Sequence, residues 1–440
     1  MTSKLEMPLK KLAAKLFPLL LLCLSQPVTA ALTIEITEGV DSALPIAVVP
    51  FDTSKVTVKF PLDLAEIVSS DLNRSGVLKV LNRADNPESP HYSNQVQYSR
   101  WRNASQDYLV VGRVLEKSAG VYTIEFQLLD VLKQKQLIGR SMTAKKRDLR
   151  SRAHQISDFI YEEITGTRGA FNTRIAYVRA QPNAARKYVL QVADTDGFNA
   201  QNVLESDEPI MSPSWSPDGK SLAYVSFESS RPEIFIQHLA TARRTKVSGF
   251  SGLNSAPSWS PDGNYLALVL SKDGSPDIYT LNTRTKRLKR LTEHRSIDTE
   301  PVWNNDGNSI IFTSDRSGTP QLYEVSVNGG KPQRITFEGR YNTAANLSPD
   351  GRYIAMVHGD RGQYKIAQLD RQTGNLIVLT DSALDESPSF SPNGKMLLYA
   401  STAGNNGLLY AVAIDGRAKH KLSDQAGDIR EPVWGPFESK

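Results

Sequence analysis

Residues 212–226 read SPSWSPDGKSLAYVS. The pattern returns as APSWSPDGNYLALVL at 256–270, EPVWNNDGNSIIFTS at 300–314, AANLSPDGRYIAMVH at 344–358 and SPSFSPNGKMLLYAS at 387–401. Aligned on the aromatic position, Trp215, Trp259, Trp303, Leu347, Phe390 and Trp434 stand 44, 44, 44, 43 and 44 residues apart. Self-similarity at such a period marks a repeat architecture. Three residues after the aromatic comes Asp-Gly (Asn393-Gly394 in one unit), a pair that tolerates positive φ and joins antiparallel strands tightly. The runs that follow, such as Leu222-Ala223-Tyr224 and Ile310-Ile311-Phe312, are nearly continuous in apolar character, as in a strand covered on both faces. A third strand follows (EIFIQHL, DIYTLN, QLYEVSV, LLYAVAI), then a more polar fourth (RRTKVS, RLKRLT). Four strands with the last one polar describe a propeller blade whose outer edge meets water. Helical repeats of this period are excluded by Pro, Gly and Asp-Gly at intervals too short for helices.

The blade count follows from the two ends of the repeat region. EPVWGPF at 431–437 is an innermost strand with no successor, and RIAYVRA at 174–180 matches SLAYVSF at 221–227 but lacks a predecessor. KYVLQVAD and QNVLES supply the third and fourth strands of that unit. Joining the two ends gives six blades over 169–440 and removes an exposed sheet edge.

Residues 31–168 do not repeat. PIAVVPF at 45–51 reads as a buried strand, and LDLAEIVSSDLNRSG places Leu62, Ala65 and Leu72 at helical spacing before a stop at Gly76. A polar loop rich in Asn, Pro and Ser precedes an antiparallel meander from DYLVVGRVLE, VYTIEFQLLD and QLIGRSMTA. A last helix carries Leu149, Ala153, Ile156, Ile160 and Ile164 on one face, and the linker to the first blade is short, 166–172. The expected fold is a small α/β N-terminal domain with a mixed sheet, followed by an all-β six-bladed β-propeller of four-stranded blades closed by the C-terminal strand.

Residues 1–30 carry four lysines, the apolar run LFPLLLLCL and the small residues Val28 and Ala30, the pattern of a secretory signal. The run is too short to span a bilayer, and no later stretch approaches 18 apolar residues. Cutting after Ala30 takes the formal charge from +5 to +2, with 48 basic against 46 acidic residues, so no nucleic-acid partner is implied. The single cysteine, Cys23, lies inside the signal, and Leu20-Leu21-Leu22 before it oppose lipoprotein processing. A cysteine-free exported chain suits a bacterial periplasm.

No G-x-S-x-G elbow, phosphate-binding glycine loop or G-x-G-x-x-G occurs. The six histidines, His91, His154, His238, His294, His358 and His420, never fall at zinc-ligand spacing. No cofactor and no metal is expected. The repeated Asp reads as a turn residue bonding its own backbone, and the repeated Trp as packing between blades. Propeller active sites gather residues from distant blades, so an exported hydrolase or carbohydrate-binding protein with its site in the central pocket stands as the alternative.

The order of signal, LTIEITEGVDSALPIAVVPF, helix, LNRSGVLKVLNRA, GAFNTRIAYV, WSPDG-type blades and a closing EPVWGPF resembles the TolB family, periplasmic components of the Tol–Pal system. The WSPDG blade alone is common among propellers, whereas its combination with EGVDSALPIAVVPF is specific. The resemblance implies a non-enzymatic adaptor, a monomer within a hetero-complex. Its propeller would bind the peptidoglycan-associated lipoprotein Pal, with other outer-membrane-associated proteins as further partners. Its segment Ala31, Leu32, Thr33, Ile34, Glu35, Ile36, Thr37, Glu38, Gly39 and Val40 would bind the C-terminal domain of TolA. The implied role is envelope integrity and outer-membrane invagination at division, and in some species colicins use the same surfaces during their import. A free strand such as LTIEIT can add to a partner's sheet edge.

The loops before each innermost strand and after each second strand share one face of the ring. Rigid scaffolds place recognition on such loops. The first set contains Met211-Ser212, Leu253-Asn254-Ser255-Ala256 and Asp298-Thr299-Glu300 in the first three units. Thr343-Ala344, Glu386-Ser387 and Arg430-Glu431 complete it. These residues are the expected Pal-binding set. NTAANLSPD lacks both the Trp and the preceding Pro, which leaves its loop the least defined.

Overall fold

The computed structural model describes residues 43–181, 184, 187–404, 406–422 and 427–438. The leader-like stretch 1–30, the segment 31–40 and the strand expected at LTIEI lie outside the described residues.

The N-terminal sheet is mixed. Strand Leu44–Val48 lies between two parallel partners, Leu78–Val80 and Tyr108–Ser118, and the latter leads an antiparallel meander through Val121–Asp130 and Lys135–Lys145. Short strand Asp52–Lys55 pairs with the far end of Tyr108–Ser118. Helix α1 (Leu64–Arg74) starts at Asp63, whose side chain accepts the Glu66 N–H at 3.1 Å. Helix α3 (Leu149–Thr165) stops at Gly166 in the left-handed conformation. The two helices cover one face of the sheet, where Leu72, Ile156 and Ile160 meet Ile46, Ile124 and Phe126. The polar loop expected before the meander contains a further helix, α2 (Tyr98–Asn103), which covers the other face. Its fully buried Trp101 packs with Val49, Leu109 and Val111, and Nε1 donates to Glu88 at 2.7 Å. One large aromatic with its N–H satisfied is enough to fix so short a helix.

Six four-stranded sheets follow, five in simple chain order. The sixth runs Asp428–Trp434, Arg174–Ala180, Tyr188–Asp194, Gln201–Ser206, with Trp434 opposite Ile175 and Asp428 opposite Ala180. The ring is thus closed by the last strand, as expected from the repeat. Blades I–V begin at Ile210, Asn254, Asp298, Tyr341 and Asp385, and blade VI is the closing one. The apolar runs of the second strands are fully buried between neighbouring blades, as at Ala223, Leu268, Phe312, Met356 and Tyr399.

The repeated motif has two structural jobs. Asp218 accepts from Ser216 Oγ at 2.6 Å and from the Lys220 N–H at 3.0 Å, and Gly219 takes φ 68°, which sets the hairpin. The aromatic stitches neighbouring blades: Trp303 Nε1 donates to the Ser258 carbonyl at 3.0 Å, and Trp215 Nε1 to that of Val433 at 3.3 Å.

The N-terminal domain sits against the turn side of blades V and VI. Thr195 Oγ1 donates to the Phe171 carbonyl at 2.8 Å, and Asn393 Nδ2 to that of Arg168 at 2.9 Å. Gly76 approaches so closely that a Cβ there would lie 2.4 Å from Ala418 Cβ. The loops singled out for recognition open on the opposite face.

Candidate functional site

All six innermost strands share one distortion. Their pairing with the second strand slips at the same point, for example between Met211 and Ser214 or between Thr299 and Val302. The residue at the slip is left-handed and never glycine: Ser212, Ala256, Glu300, Ala344, Ser387 and Glu431, with φ between 47° and 55°. A left-handed L-residue costs ~1–2 kcal/mol. Proline follows at 213, 257, 301, 388 and 432, removing a ladder donor where the strand bends. Blade IV has Ala345 instead of proline and holds the same geometry, so its divergent loop joins the ring in register. Bulges re-aim side chains and often lie beside functional sites.

These bulges surround a central mouth, a cavity of about 660 Å³. Of the residues expected at this face, Met211, Ser212, Leu253, Ser255, Ala256, Thr299 and Glu300 line it, as do Thr343, Ala344, Glu386, Ser387, Arg430 and Glu431. Asn254 and Asp298 do not. Both are fully buried below the mouth and brace its loops. Asn254 accepts from Ser248 Oγ at 2.6 Å and from the Phe250 N–H at 3.0 Å, while Asp298 holds Arg316 through both oxygens at 2.8 and 2.7 Å. Their side chains are closed to solvent, so they shape the loops that line the mouth without facing it. Tyr341, Tyr364 and Leu384 also line the cavity and lie beyond the loop residues expected from the repeat. The two tyrosines meet edge to face at 5.0 Å.

The lining is acidic, with Glu300, Asp385, Glu386 and Glu431 against Arg430. Glu300 accepts the Ala344 N–H and Thr313 Oγ1, each at 2.8 Å. Glu431 accepts the Ser212 N–H across the seam between blades VI and I. Burial pushes the Glu431 carboxyl up to about 7, against the pull of that N–H, with Glu386 and Glu300 adding to the rise. Burial also raises Glu386. Among the lining residues there is no histidine, cysteine or lysine. Around the rim, Met211, Phe250, Ile297 and Leu384 expose large apolar side chains. An apolar rim around a rigid, largely apolar hollow that carries several carboxylates suits a protein surface.

Comparison with known proteins bears on both parts of the chain. The TolB amino-terminal domain model matches residues 32–137 and the TolB beta propeller domain model residues 161–438. The Tol-Pal system protein TolB of Xanthomonas oryzae pv. oryzae is 52% identical, over 99% of this chain and all of the relative. That of Xanthomonas campestris pv. campestris is 52% identical with the same coverage. The crystal structure of TolB from Acinetobacter baumannii superposes with a TM-score of 0.84 at 43% identity, covering 91% of this chain and 99% of that one. Among the described residues, no helix is long and apolar enough to cross a membrane. The chain belongs to the TolB family.

Proposed function

We propose that the chain is a periplasmic, non-enzymatic adaptor of the Tol–Pal system, taking Pal at the propeller mouth and TolA through residues 31–40. In this role it supports outer-membrane integrity and the inward movement of that membrane at division. The observation that carries the reading is the six-fold ring of left-handed bulges beneath an exposed apolar rim. Such a face is stiff before any partner arrives, so little ordering cost accompanies binding. The family name supplies the system, and the mouth supplies the surface.

The experiment is calorimetric titration of Pal into the chain and into Ile297→Asp and Leu384→Asp variants. Both side chains are exposed, so the fold should tolerate the change. Loss of ten-fold or more in affinity is expected from placing a charge in an apolar contact. Unchanged affinity in both variants would move the Pal site elsewhere, and turnover of a glycan or peptide would favour the hydrolase reading. Deleting residues 31–40 should abolish TolA binding and leave Pal binding intact.

A further inference from the structure

At the junction between the N-terminal domain and the propeller lies a buried cluster of ionisable groups for which the adaptor reading has no use. His154, on α3, is 2% exposed. Its Nδ1 stands 2.7 Å from Asp71 Oδ2 on α1. Asp71 also accepts from Ser157 Oγ at 2.8 Å and from Arg74 at 2.6 Å, and these partners hold it ionised despite its burial. A carboxylate only accepts, so Nδ1 carries the proton. The other ring nitrogen, Nε2, has no hydrogen-bond partner and lies 3.7 Å from Asp196 Oδ2. Asp196 belongs to the propeller, in the loop after Tyr188–Asp194 of blade VI. In the neutral ring, a bare lone pair faces a carboxylate across the domain boundary. Adding one proton converts that gap into a charge-assisted contact.

We propose that protonation of His154 fastens the N-terminal domain to the propeller, making the junction a proton-operated latch.

The surrounding charges favour it. From α3, Arg150 bonds Asp194 at 2.9 Å and also contacts Asp196. From α1, Arg74 serves Asp71. Asp158, one turn beyond His154, accepts the N–H groups of Phe171 at 2.8 Å and Asn172 at 3.3 Å in the interdomain linker. Two arginines thus face four carboxylates, of which burial raises Asp194 and pushes Asp158 up to about 7, so Asp158 takes up a proton in the same range as the imidazole. On the blade V side, His420 is pushed down by burial and by Arg74, so it does not compete for the proton, and Asp415 faces Tyr161. Burial and, less strongly, the Arg150 charge work against the imidazolium, yet Asp71 and then Asp196 outweigh them and raise His154 above its ordinary value of 6.5. The latch is therefore closed below 6.5 and opens as pH rises through the raised value.

The inference needs neither partner protein. Ring-proton NMR titration of the chain from residue 31 tests it, with His154→Gln identifying the resonance by its absence. The expected midpoint lies above 6.5, and Asp196→Asn, a change in the other domain, should lower it by about half a unit or more. Amide exchange over 167–170, clear of the Phe171 and Asn172 N–H groups that Asp158 holds, and corrected for its intrinsic pH dependence, should accelerate above the midpoint in the wild type only. An equal midpoint with and without the Asp196 carboxylate would overturn the latch. So would linker protection that stays constant across the titration. If His154→Gln fails to fold, the wild-type and Asp196→Asn titrations still decide.

Discussion

Glu300 accepts the backbone N–H of Ala344 at 2.8 Å, across the seam between blades III and IV and one repeat along the chain. Glu431 does the same for Ser212 across the seam between blades VI and I. In both cases a side chain at one strained bulge holds the backbone of the next. Replacing Glu300 by Ala should strand a partly buried amide and cost about 1–3 kcal/mol, read as a lower urea midpoint with unchanged slope. Glu300→Gln keeps an acceptor and should lose less than half of that.

The Glu431 carboxyl gives the mouth a pH signature. Its folded value, about 7, exceeds the ordinary 4.5, so the protonated form is the one that folding favours. Its stabilising contribution is complete below 4.5 and is lost as pH rises through 7. Glu431→Gln imitates the protonated group permanently. The variant should be more stable than wild type at pH 8, by about 1–3 kcal/mol, and the difference should vanish near pH 4.5. Thermal melts across that range check both magnitude and direction.

Ala344 offers the cleanest measure of bulge strain. Its φ is 53° and its side chain is a single methyl group. Ala344→Gly relieves the left-handed penalty but frees the unfolded chain, leaving a net gain of about 0.5 kcal/mol. A loss of stability above 1 kcal/mol would mean that the methyl group packs rather than strains.

Removing residues 427–440 deletes the innermost strand of blade VI and bares the edge of Arg174–Ala180. That strand is buried and apolar at Ile175, Ala176, Tyr177 and Val178. The truncated chain should unfold at lower denaturant and associate in a concentration-dependent way, visible in light scattering.

Much of this architecture was legible because its signals are local. Asp-Gly beside an aromatic fixes a hairpin without help from distant residues, and the match of RIAYVRA to SLAYVSF reveals the shared blade. Helix α2 was not legible: YSRWRN has one apolar anchor, and what fixes that anchor comes from the sheet and from Glu88, thirteen residues upstream. The mouth was legible in position but not in detail. A bulge adds one residue and inverts which side chains face outward. Alternation therefore could not reveal that Asn254 and Asp298 point into the blade while Ser255 and Thr299 line the cavity. The cluster around His154 left no trace, because Asp71, His154 and Asp196 are brought together from separate elements of both domains.

Strand Arg174–Ala180 receives the linker from the N-terminal domain, and it is held on both flanks, by Asp428–Trp434 and by Tyr188–Asp194. A load arriving along the linker enters the propeller through a strand zipped on two sides. It must shear two ladders of backbone bonds together instead of peeling an edge one bond at a time. A protein that is pulled from its N-terminal side while its far face is anchored would thereby spread tension around the ring.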